Sequence, residues 1–444
     1  SISIFSLIKK IEPLNRYNVS PDIDKTLKII RKNYNNLKIL KFKSGTSAWD
    51  WQIPKKWKIY HGFIKYNNKI IFSIEDNPLR VWSGSWSYKN KSITFDKLKK
   101  NIFFKKKYEN KIPWKYKYYF HDKNFWGFSL SFKEYKKLKK LKGPFEVDIK
   151  TKFYNDYLTM GEILIPGKSK EKIIISSDIC HPAQVNDSLS GVYCALKLYE
   201  KLKNKKNFYT YLFTFQPEMI GSIAYLSKKK NLKNLKYGIF TEMMGSKGPM
   251  ILQKSFKGDT LIDFVGTEVL CRKYKKKFQI KEFLDDAIVN DELILNHIDI
   301  PSIALNRGPF NDYHTSGDNL KNINKKILED SYDTLEKIIL FLENFKNKKA
   351  KSFTFKKKNK KSILNNNNNN YYKKKIPGPI FLDKHNLYVD WQVDWRMNTI
   401  IDKIMIALDG KHTIDEIVKF CKCEKPIVIN FINKLKRKNL IVKV

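Results

Sequence analysis

The chain has 444 residues, enough for two or three domains with full-sized cores. Its hydrophobic share of 42% is that of a soluble globular protein, and no apolar run approaches the roughly 20 residues of a membrane span. The formal charge of +43 invites a nucleic-acid reading, but only seven arginines stand among 87 basic residues and the lysines run the whole length, which describes a general solvated surface rather than a polyanion site.

Residues 1–35 read as helical, with Ser20-Pro21-Asp22 as the start of a helix over Ile23 to Tyr34. From 36 to 142 short aromatic runs alternate with turn signals, and seven of the nine tryptophans fall there; an inserted β-rich domain is expected. Residues 143–350 alternate strand and helix signals. Strands are expected at Phe145 to Lys152, Leu158 to Ile165, Lys172 to Ser177, Phe208 to Phe215, Tyr237 to Met243, Met250 to Gln253 and Ser302 to Leu305. That alternation argues for an α/β sandwich with a mostly parallel central sheet, to which 1–35 and 143–350 both belong. Residues 351–375, with six asparagines at Asn365 to Asn370, have too little apolar content to order themselves and read as a linker. In 376–444, amphipathic runs at Met397 to Leu408, Ile414 to Phe420 and Lys425 to Lys438, then a strand at Leu440 to Val444, suggest a winged-helix domain.

Five cysteines (Cys180, Cys194, Cys271, Cys421, Cys423) are an odd, sparse set unsuited to a disulfide framework. They read as ordinary thiols. The N-terminal stretch has no basic n-region or small-residue cleavage site, so a cytoplasmic protein is expected.

Chemistry gathers at the ends of expected strands. After Ile173 to Ser177 come His181-Pro182 and Asp187, within Asn186-Asp187-Ser188-Leu189-Ser190-Gly191. After Phe208 to Phe215 comes Pro217-Glu218, after Tyr237 to Phe240 comes Glu242, and after Ser302 to Leu305 comes Tyr313-His314-Thr315-Ser316-Gly317-Asp318. Open α/β sheets bind ligands outside the carboxyl ends of their strands. Two imidazoles with carboxylates and no thiolate suit Zn²⁺ or a similar first-row ion, one or two in number. Such an ion brings the pKa of water towards roughly 7, and a neighbouring carboxylate can take the proton. His61, His121, His297, His385 and His412 lack comparable company and read as surface or structural histidines.

At Ser176 to Gly191, Pro217 to Ser222 and Tyr313 to Asp318 the chain resembles the aminopeptidase-like domain family associated with bacterial polysaccharide biosynthesis, a distant branch of the zinc aminopeptidases and glutamate-carboxypeptidase-like hydrolases. Trp49-Asp50-Trp51 to Trp57 resembles that family's inserted β-rich domain, and 376–444 its winged helix. The resemblance implies His181 as a metal ligand, Asp187 as a carboxylate bridging two metals and His314 as the closing ligand. Glu218 falls where the wider superfamily has two glutamates, one a base and one a ligand; here the first is Pro217, so Glu218 takes one of the two roles. Glu242 lies near the second-metal aspartate, and Asp291-Glu292 makes Glu292 a second candidate base. Asp178 is expected to orient His181, with Asp291 and Tyr313 also behind the ligands.

Two functions are open on this reading. One is a zinc-dependent aminopeptidase-like hydrolase that cleaves an amide bond of a peptide, or of an aminoacyl or acylamino compound, by metal-activated water. The other is a catalytically silent metal-binding scaffold whose winged helix docks a protein or DNA. Protein docking is favoured over nucleic acid, because apolar residues crowd the third helix of the tail; no membrane partner is expected.

Overall fold

The computed structural model describes residues 3–118, 124–285, 289–347 and 371–444. An eight-stranded sheet is built from β1 (Lys38–Lys43), β2 (Tyr157–Ile165), β3 (Lys172–Asp178), β4 (Thr210–Gln216), β5 (Leu235–Thr241), β6 (Met250–Gln253), β7 (Phe278–Lys281) and β8 (Ser302–Arg307). Their order is β1-β2-β4-β3-β5-β8-β6-β7. The central strands β4, β3, β5 and β8 are mutually parallel. The pairings β1–β2, β2–β4 and β8–β6 are antiparallel, and the sheet as a whole is mixed. β3 and β4 are buried almost end to end, as continuous apolar strands covered on both faces must be.

Alternate residues of β3 enter different cores. Ile173 and Ile175 pack with α1 (Ile4–Ile11), α2 (Pro21–Asn33), α3 (Leu189–Leu202), α5 (Leu261–Tyr274) and α7 (Lys325–Asn347). Ile174 packs on the opposite face with α4 (Ile220–Leu226) and α6 (Asp291–His297). This period of two makes a three-layer α/β sandwich. Each fully buried Ile, Leu or Phe stabilises it by about 1.5–3 kcal/mol. The expected start of α2 is present: Ser20 Oγ accepts from Ile23 N at 3.4 Å, and Pro21 occupies the first turn.

A separate four-stranded antiparallel sheet, in the order Lys69–Ser73, Lys56–Tyr66, Phe145–Tyr154, Tyr88–Ile93, has its own apolar cluster around Ile64, Phe128, Leu138 and Val147. Two strands lie across the boundaries expected at 36 and 142. β1 joins the large sheet, and Phe145–Tyr154 joins the small one. Phe145–Tyr154 and β2 both read as strands in the sequence; which sheet each enters is decided by partners, which periodicity does not encode. β7 was not expected, because its short run is only half-buried between lysines.

In the tail, α8 (Trp395–Ala407), α9 (Ile414–Cys421) and α10 (Lys425–Arg437) pack with a three-stranded antiparallel sheet of Asp409–Thr413, Tyr371–Lys374 and Ile441–Lys443. Its core includes Ile404, Leu408, Val428, Leu435 and Ile441. Tyr371–Lys374 falls inside the expected linker 351–375; the asparagine run lies outside the described residues. The tail is docked on the rest of the chain. Trp51 Nε1 donates to Pro379 O at 3.0 Å, the Trp51 and Phe381 rings stack at 4.2 Å, and Asp50 accepts from Phe381 N while facing His385 Nε2 at 2.8 Å. No helix among the described residues is long and apolar enough to cross a membrane.

Candidate metal centre

Parallel central strands end on one side of the sheet, so the loops after β3, β4, β5 and β8 meet there. His181 Nε2 lies 3.3 Å from Glu218 Oε2 and 3.8 Å from Asp187 Oδ2, and His314 Nε2 lies 3.2 Å from the same Asp187 oxygen. Ligand atoms of His181, Asp187 and His314 all fall within 4.8 Å of one another, as do those of Cys180, His181 and Glu218. Both Asp187 oxygens and both His314 ring nitrogens are buried without an aligned hydrogen bond. Buried polar atoms are normally satisfied, so this convergence of unsatisfied donors fits a divalent cation. The loops also carry positive φ at non-glycine residues: His181 (78°), Met219 (59°), Met243 (44°) and His314 (54°). Backbone held in that region is strained and recurs at functional sites.

Charge in the site is dominated by buried acids. Burial would raise the Asp187 carboxyl, but His181 and His314 hold it below its ordinary range. Burial, then Asp187 and Glu218, push Glu242 well above its own. Burial lowers the His314 imidazole, whereas for His181 the charge of Asp187, with hydrogen bonds to Cys180 and Glu218, overcomes burial and raises it well above normal. Repulsion among buried carboxylates is what a bound cation would relieve.

Two side chains hold the ligand loop. Arg16, fully buried, donates to the carbonyls of Ile179 (2.9 Å), His181 (2.7 Å), Gln184 (2.6 Å), Ile11 (2.9 Å) and Glu12 (3.2 Å). Burial lowers its pKa to about 10. Asp318 accepts from the amides of Val185, Asn186 and Asp187 at 3.1, 2.6 and 2.8 Å. The glycine of the Asp187-to-Gly191 motif has a steric role: a Cβ on Gly191 would lie 1.9 Å from Thr241 O, so only glycine lets α3 approach the end of β5 this closely.

The other expected site residues lie further back. Glu242 accepts from the Asn290 side chain. Glu292 is fully buried, bonded to Gln253 Nε2 (2.8 Å) and Asn290 N (3.3 Å), and burial pushes it up to about 8. Asp291 accepts from Met219 N at 3.3 Å, and burial raises it to about 6. Tyr313 stacks on His314 at 3.8 Å. Asp178, expected to orient His181, instead faces Asp291 and Gln216 Nε2 (3.5 Å), and burial followed by Asp291 raises it well above the carboxylate range. The group at His181 Nδ1 is Cys180 Sγ, 3.3 Å away. A buried cysteine beside a histidine reads as core, so its place here, and the thiol within the ligand group, went unanticipated. His121 lies outside the described residues. His61, His385 and His412 face Asp148, Asp50 and Asp409, while His297 is buried with neither ring nitrogen bonded.

Other parts of the chain close over the imidazoles. Segment 111–118 runs along the His314 loop: Ile112 and Ser316 exchange hydrogen bonds, Trp114 N donates to His314 O at 2.7 Å, and Lys111 pairs with Asp312 at 2.5 Å. The Trp114 ring meets His181 and His314 edge-on at 4.9 and 4.8 Å, and Trp391 of the tail comes within 5.9 Å of His314. A cavity of about 530 Å³ is lined by Asn186, Met243 and Tyr313, the chain neighbours of Asp187, Glu242 and His314, but by none of His181, Asp187, Glu218, Glu242 or His314 themselves.

An α/β sandwich with imidazoles and carboxylates at its parallel strand ends has the fold of the zinc aminopeptidases. The chain is similar in fold to a zinc aminopeptidase of Bacillus subtilis (14% identity, 79% of this chain and 96% of that one, TM-score 0.55). It is likewise similar to a peptidase M28 precursor of Shewanella amazonensis (12% identity, 76% and 92%, TM-score 0.52). A Clostridium acetobutylicum structure provisionally named a peptidase matches over 99% of this chain and 96% of its own, at 28% identity and TM-score 0.72. Residues 5–345 match the family described as a domain of unknown function (DUF4910), and the chain belongs to that family. A C. acetobutylicum protein provisionally named a polysaccharide biosynthesis protein with an aminopeptidase-like domain is 33% identical over 345 residues, 77% of this chain and 78% of that protein. The resemblance read from the strand-end motifs is borne out.

Proposed function

We propose that this chain is a zinc-dependent, aminopeptidase-like hydrolase that cleaves an amide bond in a peptide or in an aminoacyl or acylamino precursor of a surface glycan. The relative named for polysaccharide biosynthesis motivates the second substrate. The carrying observation is the convergence of His181, Asp187 and His314, with buried polar atoms left unsatisfied, beside Glu218. His181, Asp187 and His314 would hold the ion, with Glu242 available to a second. A bound divalent ion supplies Lewis acidity towards a carbonyl and acidifies water.

Glu218 is the base on this reading. Its side chain is 20% exposed against 2% for Asp187, so it can face both the ion and a substrate. It takes the proton of the attacking water and returns it to the leaving amine. Glu292 is less suited, being fully buried and held by Gln253. Tyr313 and Trp114 pack against the imidazoles and fix their orientation. A panel of aminoacyl-4-nitroanilides and N-acyl amides with Zn²⁺, Co²⁺ or Mn²⁺ tests the proposal. Glu218→Gln is expected to retain metal and lose about 10²–10⁴-fold in turnover. Metal binding without turnover on any member of the panel would contradict the enzyme reading.

Pro217, where the wider superfamily has a glutamate, favours one rival: a catalytically silent scaffold that works through its tail. We read the tail as a winged helix suited to protein docking, since Val428, Phe431, Ile432 and Leu435 of α10 are committed to its own core. Specific, salt-sensitive DNA binding by the full chain would count for a nucleic-acid role instead.

A further inference from the structure

An imidazole that ligates a metal through Nε2 carries its proton on Nδ1, and that N–H needs an acceptor to fix the ring. In most such sites a carboxylate, a carbonyl or a water serves. Here the carboxylate closest along the sequence, Asp178, faces Asp291 and Gln216 instead. Cys180 Sγ stands 3.3 Å from His181 Nδ1. The same sulfur receives the backbone N–H of Glu218 at 3.2 Å. A backbone N–H only donates, so Sγ is already an acceptor at this spot, and a second N–H from His181 suits its remaining lone pair. The thiol thus touches two of the candidate groups at once, the ring of His181 and the backbone that carries Glu218.

We infer that Cys180 is a positioning residue which, as a neutral acceptor in place of the usual carboxylate, fixes the tautomer and orientation of His181 and the backbone of Glu218 for metal binding without itself ligating the ion. This rests on the metal site proposed above. The loop leaves Cys180 little freedom: Arg16 pins the carbonyls on either side of it, at Ile179 and His181, and Ser188 Oγ donates to the Asp178 carbonyl at 2.6 Å, with the Cys180 carbonyl 3.4 Å away. Trp114 edge-on against the ring opposes its rotation. A neutral partner also adds no charge to a centre already holding buried Asp187, Glu242, Asp178 and Asp291.

The test is metal affinity of the full-length apoprotein, measured with Zn²⁺ against a chromophoric chelator, together with the Co²⁺ absorption spectrum, for the wild type, C180A and C180S. C180A is expected to weaken Zn²⁺ binding about 10- to 100-fold, the usual effect of losing an outer partner of a ligating histidine. C180S keeps an acceptor and is expected to recover most of that loss, which a merely space-filling role would not give. Should C180A fail to fold, C180S and the wild-type spectrum still decide. The wild-type Co²⁺ complex is expected to lack a thiolate-to-metal charge-transfer band. Equal affinity in C180A, or such a band in the wild type, overturns the inference while the metal site stands. A wild type that binds neither ion overturns both.

Discussion

Glu292 shows how a single buried group can set the pH response of the molecule. Its carboxyl has one bonded oxygen, on Gln253 and Asn290, and one with no hydrogen bond, and burial raises its pKa to about 8. The unfolded chain ionises this group near its ordinary value of about 4.3, so between there and about 8 the native state binds more protons and stability falls as pH rises. Glu292→Gln keeps an acceptor for Gln253 and removes the titration. In metal-free protein we expect the variant's free energy of unfolding, from urea titration, to gain on the wild type's by a margin that grows from pH 5 to pH 9, reaching about a few kcal/mol. A margin that is flat with pH would show that Glu292 ionises normally. At this scale the candidates His181, Asp187, Glu218 and His314, which the fold brings together, were legible in the sequence because metal-binding chemistry restricts residue type and strand ends restrict place. Cys180, Arg16 and the amide-holding role of Asp318 were not, since each acts through backbone groups or through a neighbour, and a lone thiol or arginine carries no such pattern.

Between elements, the region after α1 and the loop after β3 are tied by one side chain. Arg16 is 163, 165 and 168 residues from the carbonyls it holds at Ile179, His181 and Gln184. Arg16→Met is expected to destabilise the fold by about 3–5 kcal/mol, because several buried carbonyls lose their donor. Arg16→Lys should rescue little, as an ammonium cannot reproduce the planar fork. Chemical denaturation measures both, and a loss under 1 kcal/mol in Arg16→Met would mean that water replaces the guanidinium. The element reading from sequence succeeded where pattern is local, as in the Ser20 cap of α2 and the buried runs of β3 and β4. It missed where partners decide, as with Phe145–Tyr154 in the small sheet and the half-buried β7.

Across the whole molecule, three separately packed parts meet at one centre. The large sheet supplies the candidate ligands, segment 111–118 lies over both imidazoles, and the tail brings Trp391 to His314 and is fastened through Asp50 and Trp51. Sequence composition could separate the aromatic insert from the tail, but their convergence is a property of packing. All of it turns on whether the convergence of His181, Asp187 and His314 is a metal site. Elemental analysis of purified full-length protein, after dialysis against Zn²⁺ and then metal-free buffer, asks this most directly for the wild type and His181→Ala. We expect at least one tightly held zinc per chain in the wild type and its loss in a folded His181→Ala. A wild type that retains no zinc, or a His181→Ala protein that retains as much, would contradict the site.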